Sequence, residues 1–209
     1  MGSVTLMTRE EQKQATRARV LAAARKLFAQ NGFHATTVRM IATEAGSAVG
    51  GVFTTFESKE EILFEIAAER YDALAQAIMA EADGPGLVRD KLKRGFAAAY
   101  QFEFERIGLL MVQIGASWTW SHAFEAKSQA RLAAPFSFIG KLLGEARAKG
   151  EMRADADLAL LGDLLLGVYL RTWRHAWFRK LDASAAGALA AVQIDLVFDG
   201  AGAAQRTVG

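Results

Sequence analysis

The sequence contains no cysteine, only two prolines and three scattered histidines. The first absence excludes disulfides and thiolate metal sites, and it makes a reducing cytoplasm the expected compartment. The scarcity of proline, beside abundant alanine and leucine, makes all-α the default class. His34, His122 and His175 form neither a His-Glu-x-x-His nor a Glu-x-x-His pair, so the usual helical metal sites are not encoded. No glycine-rich phosphate loop follows a strand, and Glu103 and Glu105 fall on different helix faces, which rules them out as an acid–base pair. We therefore expect no catalytic residue, metal or cofactor, and no enzyme. The start of the chain lacks a signal-like apolar core. The most apolar run, Leu158 to Leu170, is interrupted by Asp163 and is too short to span a bilayer, so no membrane role is expected.

Hydrophobic residues make up 52% of the 209 positions, enough for a sizeable core and too many for a disordered chain. Net charge is only +2, but it is unevenly placed. Residues 1–60 hold 8 bases against 5 acids, and the remainder holds 17 against 18. The positive excess lies where attraction to phosphate would need it.

The informative stretch is Thr37 to Lys59. Val38, Ile41, Ala42 and Ala45 recur at helical spacing, Thr37 is a good N-cap, and Gly46 can end the helix at positive φ. A second short segment, about 48–55, carries Val52 and Phe53, with Phe56 just beyond. Helix, short turn, helix is the arrangement that lays its second helix in the DNA major groove. Upstream, Thr8-Arg9-Glu10-Glu11 fits a capping box for a first helix whose stripe is Val20, Ala23, Ala24, Leu27 and Phe28. Arg17 and Arg19 lie on its other side, within possible reach of phosphate. Downstream, Ser58-x-x-Glu61 is a second capping box for a long helix to about Ala82, before the turn Asp83-Gly84-Pro85-Gly86.

From Leu87 onward the pattern stays helical, making about nine helices in all. Pro135 either kinks the seventh or marks its true start. The eighth is apolar nearly all round, so it must bury more than one face. The aromatic-rich population of this half, with a few polar handles, has the mixture of a ligand pocket: Tyr100, Phe104, Met111, Gln113, Trp118, His122, Phe138, Tyr169 and Trp173.

Residues Arg19 to Ile62 resemble the DNA-binding domain of the tetracycline-repressor-like (TetR) family of bacterial transcription regulators. The matching landmarks are Ala23-Ala24, Leu27-Phe28, Asn31-Gly32-Phe33, Thr36-Thr37, Ile41-Ala42, Ala45-Gly46, Gly50, Phe56 and Ser58-Lys59-Glu60, in order and at the family's spacing. The resemblance implies an N-terminal three-helix DNA-binding domain (1–57), a connecting fourth helix (58–82) and a C-terminal ligand-binding and dimerisation domain (83–200); the last residues (201–209) are expected to form a disordered tail. The resemblance also implies a homodimer on a palindromic double-stranded operator, acting as a repressor and released by a small molecule; the aromatic-rich population makes that effector a largely apolar or aromatic one. Because the fourth helix is expected to touch both domains, the effector would act by changing the spacing of the two recognition helices.

Carried over position by position, the DNA contacts are Thr36, Thr37, Arg39, Gly50, Gly51, Phe53, Thr54, Thr55 and Lys59. Arg39 would reach a base or phosphate, and Lys59 a phosphate. Three positions depart from the pattern. Gly51 replaces a common threonine, and Phe53 and Thr55 replace common tyrosines. Dimer contacts are expected from Leu161, Leu164, Leu165, Val168, Leu189, Val192 and Leu196. The altered recognition helix keeps an alternative in view: a helical protein-interaction module whose sequence-specific DNA binding has decayed.

Overall fold

The computed structural model describes residues 8–201, and the expected disordered tail beyond residue 201 lies outside them. Among the described residues there are ten α-helices and no strand. They are α1 (Arg9–Asn31), α2 (Val38–Glu44), α3 (Val49–Phe53), α4 (Lys59–Ala68), α5 (Tyr71–Ala82), α6 (Val88–Glu103), α7 (Ile107–Ser117), α8 (His122–Ala148), α9 (Leu158–Arg179) and α10 (Ala183–Ala201), with a 3-10 turn at Phe104–Arg106. The chain divides into two compact units. One runs to Glu69 and includes Gly115–Ser117, and the other holds Arg70–Ile114 and the residues from Trp118 on.

The extra helix comes from a break. The single helix expected over 58–82 is two, α4 and α5, separated at Glu69 and Arg70. The local sequence, Ala67-Ala68-Glu69-Arg70, consists of good helix formers, so propensity does not end the helix. The two residues at the break are each held within their own unit. Glu69 accepts from Arg25 of α1, whereas Arg70 donates to the Phe102 carbonyl at 3.0 Å and lies over the Phe102 ring.

The first unit is built as its caps dictate. Thr8 and Glu11 form the capping box of α1, and Gly32 ends that helix at φ 77°. Val20, Ala24, Phe28, Ile41, Val52 and Phe56 are buried. Ser58 caps α4 by accepting from Glu61 N–H at 3.0 Å. The reciprocal bond differs from a strict capping box: the Glu61 carboxylate accepts from Glu57 N–H at 2.6 Å.

In the second unit α6 packs on α5 and α10, α8 packs on α5 and α9, and α9 packs on α10. Phe96, Tyr100, Phe138, Tyr169 and Trp173 form its aromatic centre. Tyr100 stacks on Tyr169 with centroids 5.4 Å apart, and meets Trp173 edge-on at 4.9 Å. Gly95 permits the closest approach, since a Cβ there would lie 2.9 Å from Phe138 Cε2. Pro135 lies inside α8, well past its first turn, so it does not start that helix. Helix α10 has the length and mean hydropathy of a membrane span over Ala183–Gly200. One of its faces is nonetheless committed to the core through Ala186, Ala190, Ile194 and Phe198, and Asp195 and Asp199 on it pair with Arg89.

A polar group interrupts this core. Glu103 is buried, with Arg70 Nε 3.3 Å from its carboxylate. Burial raises the Glu103 pKa, against the opposing charges of Arg70 and Arg106. The folded chain thus holds this proton at a pH where the unfolded chain has released it, so stability falls as pH rises between the two pKa values. Denaturant midpoints compared from about pH 4 upward, the ordinary carboxylate range, should show that loss in the parent and a flatter profile in Glu103→Gln. A parent profile that rises over this window would contradict the assignment.

Candidate nucleic-acid interface

Helices α2 and α3 form the helix-turn-helix. Thr37 caps α2 through Met40 N–H at 3.2 Å. Gly46 takes φ 61° in the turn, a conformation costly for residues with a Cβ. Ser47 N–H then donates back to the Ala42 carbonyl at 2.9 Å, which closes the turn. Helix α3 is only five residues long and its N-cap, Ala48, makes no side-chain cap bond. Val52 on α3 is buried and anchors it.

The residues expected to meet DNA divide into two groups. Thr37, Arg39, Gly50, Phe53 and Thr54 are exposed, with Thr55 and Gly51 partly so. Phe53 is 53% exposed although it is one of the largest apolar groups of this unit. The Thr54 and Thr55 hydroxyls both donate to the Gly51 carbonyl, at 2.9 and 3.2 Å. They therefore face outward chiefly as acceptors and methyl groups. A Cβ at Gly51 would lie 2.8 Å from Ser47 Oγ, a rotatable hydroxyl.

One expected contact is corrected, and a second is engaged within the unit. Thr36 is fully buried, and its hydroxyl is directed at the Leu27 and Gly32 carbonyls, 3.2 and 2.8 Å away. It ties the end of α1 to the start of α2 and is shielded from phosphate. Lys59 is turned inward as well. Its Nζ lies 2.8 Å from the carbonyl oxygens of both Phe33 and Thr36 and 4.2 Å from the centre of the Phe33 ring. Arg17 is also engaged, pairing with Glu65 and lying over Phe56. Sequence reasoning passed over His34 and Val49, which are exposed beside α2 and on α3. The spacing of the apolar residues had marked only the buried side of each helix.

In the second unit the expected pocket residues also separate. Tyr100, Phe138, Tyr169 and Trp173 are buried, with Phe104 and Met111 packed against the same cluster. Tyr100 hydroxyl donates to the Tyr169 carbonyl at 3.2 Å, and burial pushes the pKa of both phenols up. Gln113 is buried and donates to the Tyr71 hydroxyl at 3.0 Å, so Tyr71 joins the polar groups that sequence did not mark. Trp118 does not belong to the cluster: it is 84% exposed. His122, in the first turn of α8, is exposed too. Of the expected dimer residues, Leu164, Val192 and Leu196 are exposed at 50%, 60% and 68%. Leu161, Val168 and Leu189 are half-buried. Leu165 is completely buried in the core of its own unit, because it lies on the same side of α9 as Tyr169 and Trp173, the side that faces the core.

Residues 20–66 match the sequence profile of a family described as bacterial regulatory proteins, tetR family. The chain is 24% identical over 157 residues to the HTH-type transcriptional regulator UidR of Escherichia coli strain K12, spanning 75% of this chain and 79% of that protein. The fold is similar to FadR of Thermus thermophilus, a TetR-family transcriptional repressor solved in complex with lauroyl-CoA. The TM-score is 0.72 at 18% identity, over 92% of this chain and 98% of that one. It is similar also to the transcriptional regulator FadR of Bacillus subtilis in complex with stearoyl-CoA, with a TM-score of 0.70 at 20% identity, over 88% and 98% of the two chains. Residues 20–66, which hold the helix-turn-helix, thus form the DNA-binding domain of the tetR family of bacterial regulatory proteins, within an all-helical fold shared with these regulators.

Proposed function

We propose that the chain is a ligand-responsive repressor that binds a palindromic operator as a homodimer and is released by a small, largely apolar effector. The observation that carries the DNA reading is the set of groups exposed on α2 and α3: Arg39, Val49, Gly50, Phe53 and Thr54. Arg39 is the group suited to bidentate recognition of guanine O6 and N7. Helix α3 offers mostly apolar surface and glycine backbone, which suits close approach and contact with thymine methyl groups. The reading head therefore combines one charged fork with a methyl-seeking helix. Lys59 and Thr36 act in this scheme by holding α2 and α4 in place.

The dimer reading rests on Leu160, Leu164, Val192 and Leu196, large apolar groups exposed on the adjacent helices α9 and α10. Such a surface favours burial against another chain. A two-fold axis would present two copies of α3 to two half-sites. The effector reading rests on the aromatic cluster around Tyr169 and Trp173. Trp173 Nε1 is buried without a hydrogen bond among the described residues, a donor that a ligand could satisfy. The acyl-CoA molecules held by the two FadR proteins carry long apolar chains, which favours an apolar effector here. Rearrangement of the closed aromatic cluster would admit it. The chain is read as a cytoplasmic regulator and as a non-enzyme.

Genome-wide capture of DNA fragments by the purified chain should enrich one palindrome, and Arg39→Ala should lose it. Against that site Arg39→Ala and Phe53→Ala should each cost about 1–3 kcal/mol, with Phe53→Ala relaxing preference for thymine. Should parent and Arg39→Ala retain the same weak, salt-sensitive DNA, the protein-interaction reading replaces this one.

Sedimentation should show Leu164→Asp shifting the dimer toward monomer while the helical content is retained. A parent that sediments as a monomer in the presence of operator would remove the two-fold model.

A screen of apolar compounds by operator release should find ligands that also change tryptophan fluorescence. Trp173→Phe should blunt their effect and leave operator affinity without ligand unchanged. Ligands that bind the second unit and leave operator affinity untouched would refute the switch.

A further inference from the structure

Helix α9 changes character along its length. From Leu158 to Leu170 its one charged residue is Asp163, whereas residues 171–180 hold Arg171, Arg174, Arg179 and Lys180 and no acid. This stretch lies beyond the apolar half of α9 that we assign to a second copy. Arg171, Arg174, His175, Phe178 and Arg179 recur three and four residues apart, so they share one side of the helix. Together they line an open cavity of about 270 Å³. Phe178 is 64% exposed, and the Arg174 guanidinium lies over its ring at 4.7 Å.

These cations find no carboxylate partner among the described residues: none of Arg171, Arg174 and Arg179 forms an ion pair there. The acids that follow, at the entry of α10 and on it, are engaged with other groups. Asp182 accepts from Ala185 N–H at 2.8 Å, Asp195 holds Arg89 and Lys93, and Asp199 holds Arg89. The three guanidiniums are close enough to one imidazole that, after burial, their charges lower the His175 pKa. Like charges this close repel one another, and an anion in the cavity would relieve all of them at once.

We propose that the basic end of α9 binds a nucleoside diphosphate, with phosphates on Arg171, Arg174 and Arg179 and the base on Phe178. Guanidinium forks match phosphate oxygens in pairs, and an exposed aromatic ring beside a guanidinium is a stacking platform for a base. From Arg171 to Arg179 the helix advances about 12 Å at 1.5 Å per residue, room for two phosphates and a base. A DNA backbone fits less well, because a duplex keeps its bases stacked inside and leaves Phe178 nothing to cover. A free nucleotide and the nucleotide half of a larger cofactor carry the same group, so both are tested.

The experiment is calorimetric titration of the full chain with ADP, coenzyme A, AMP, pyrophosphate and random duplex DNA. ADP should bind more tightly than AMP. Arg174→Glu should weaken ADP at least about tenfold, the size of one charge-assisted contact, with operator affinity unchanged. Phe178→Ala should weaken ADP and leave pyrophosphate as it was. Coenzyme A binding more tightly than ADP supports the same site with the larger cofactor as its source. Arg174→Gln, which keeps the length and removes the charge, serves if the glutamate variant loses helical content. No heat from ADP with the parent, or equal ADP affinity in parent and both Arg174 variants, overturns the proposal. So does a parent that ignores ADP while Arg174→Glu loses affinity for random duplex. Operator binding through Arg39 is read separately, so the two readings stand or fall apart.

Discussion

One ammonium group holds the frame of the DNA-reading unit. Lys59 begins α4, yet its Nζ reaches back to the Phe33 and Thr36 carbonyls and rests on the Phe33 ring. Those carbonyls belong to the irregular link between α1 and α2, where no helix ladder can satisfy them. The buried Thr36 hydroxyl closes the same link from the other side. A cation bonded to two carbonyls in a partly desolvated place is worth more than a neutral bond, and here it joins the entry of α2 to the entry of α4. Helix α3, five residues long and without a side-chain cap, is too short to persist alone. It depends on that frame and on Val52 and Phe56 beneath it.

The consequence for recognition is a division of labour. Conserving the frame consumes Lys59 and Thr36, so the outward chemistry falls to Arg39, Phe53 and the glycine-rich face of α3. Two glycines cost a helix about 1 kcal/mol each relative to alanine. A Cβ at Gly51 would meet only the rotatable Ser47 hydroxyl, so the backbone cost is not offset there. A reading head built this way is suited to close approach and methyl contact, and it has few side-chain donors of its own.

The second unit is organised by what α9 shows on each side. Leu165, Tyr169, Thr172, Trp173 and Ala176 face the core, while Leu160, Leu164 and Phe178 are exposed. Its basic residues are confined to the last turns. Thus a single helix carries a core seam, an apolar surface and a cationic strip. The break between α4 and α5 falls at the boundary between the units: Glu69 pairs with Arg25 of α1 in the first, and Arg70 with the Phe102 carbonyl of α6 in the second.

The sequence alone determined most of the helices, several of their caps and the helix-turn-helix, but not the break between α4 and α5. These depend on local rules: Thr8, Thr37 and Ser58 cap as their hydroxyls dictate, and Gly32 and Gly46 stop helices at positive φ. The aromatic centre was legible too, because large apolar groups at helical spacing have to be buried. What only the tertiary structure decided was the direction in which a polar or amphipathic side chain turns. Lys59, Thr36 and Arg17 read as phosphate ligands because their charge or hydroxyl suits one, yet each found a partner distant in sequence. Trp118 and His122 read as pocket groups by type and lie outside, whereas Leu165 read as interface and lies inside. Residue type states what a group can bond; long-range packing determines which bonds are within its reach.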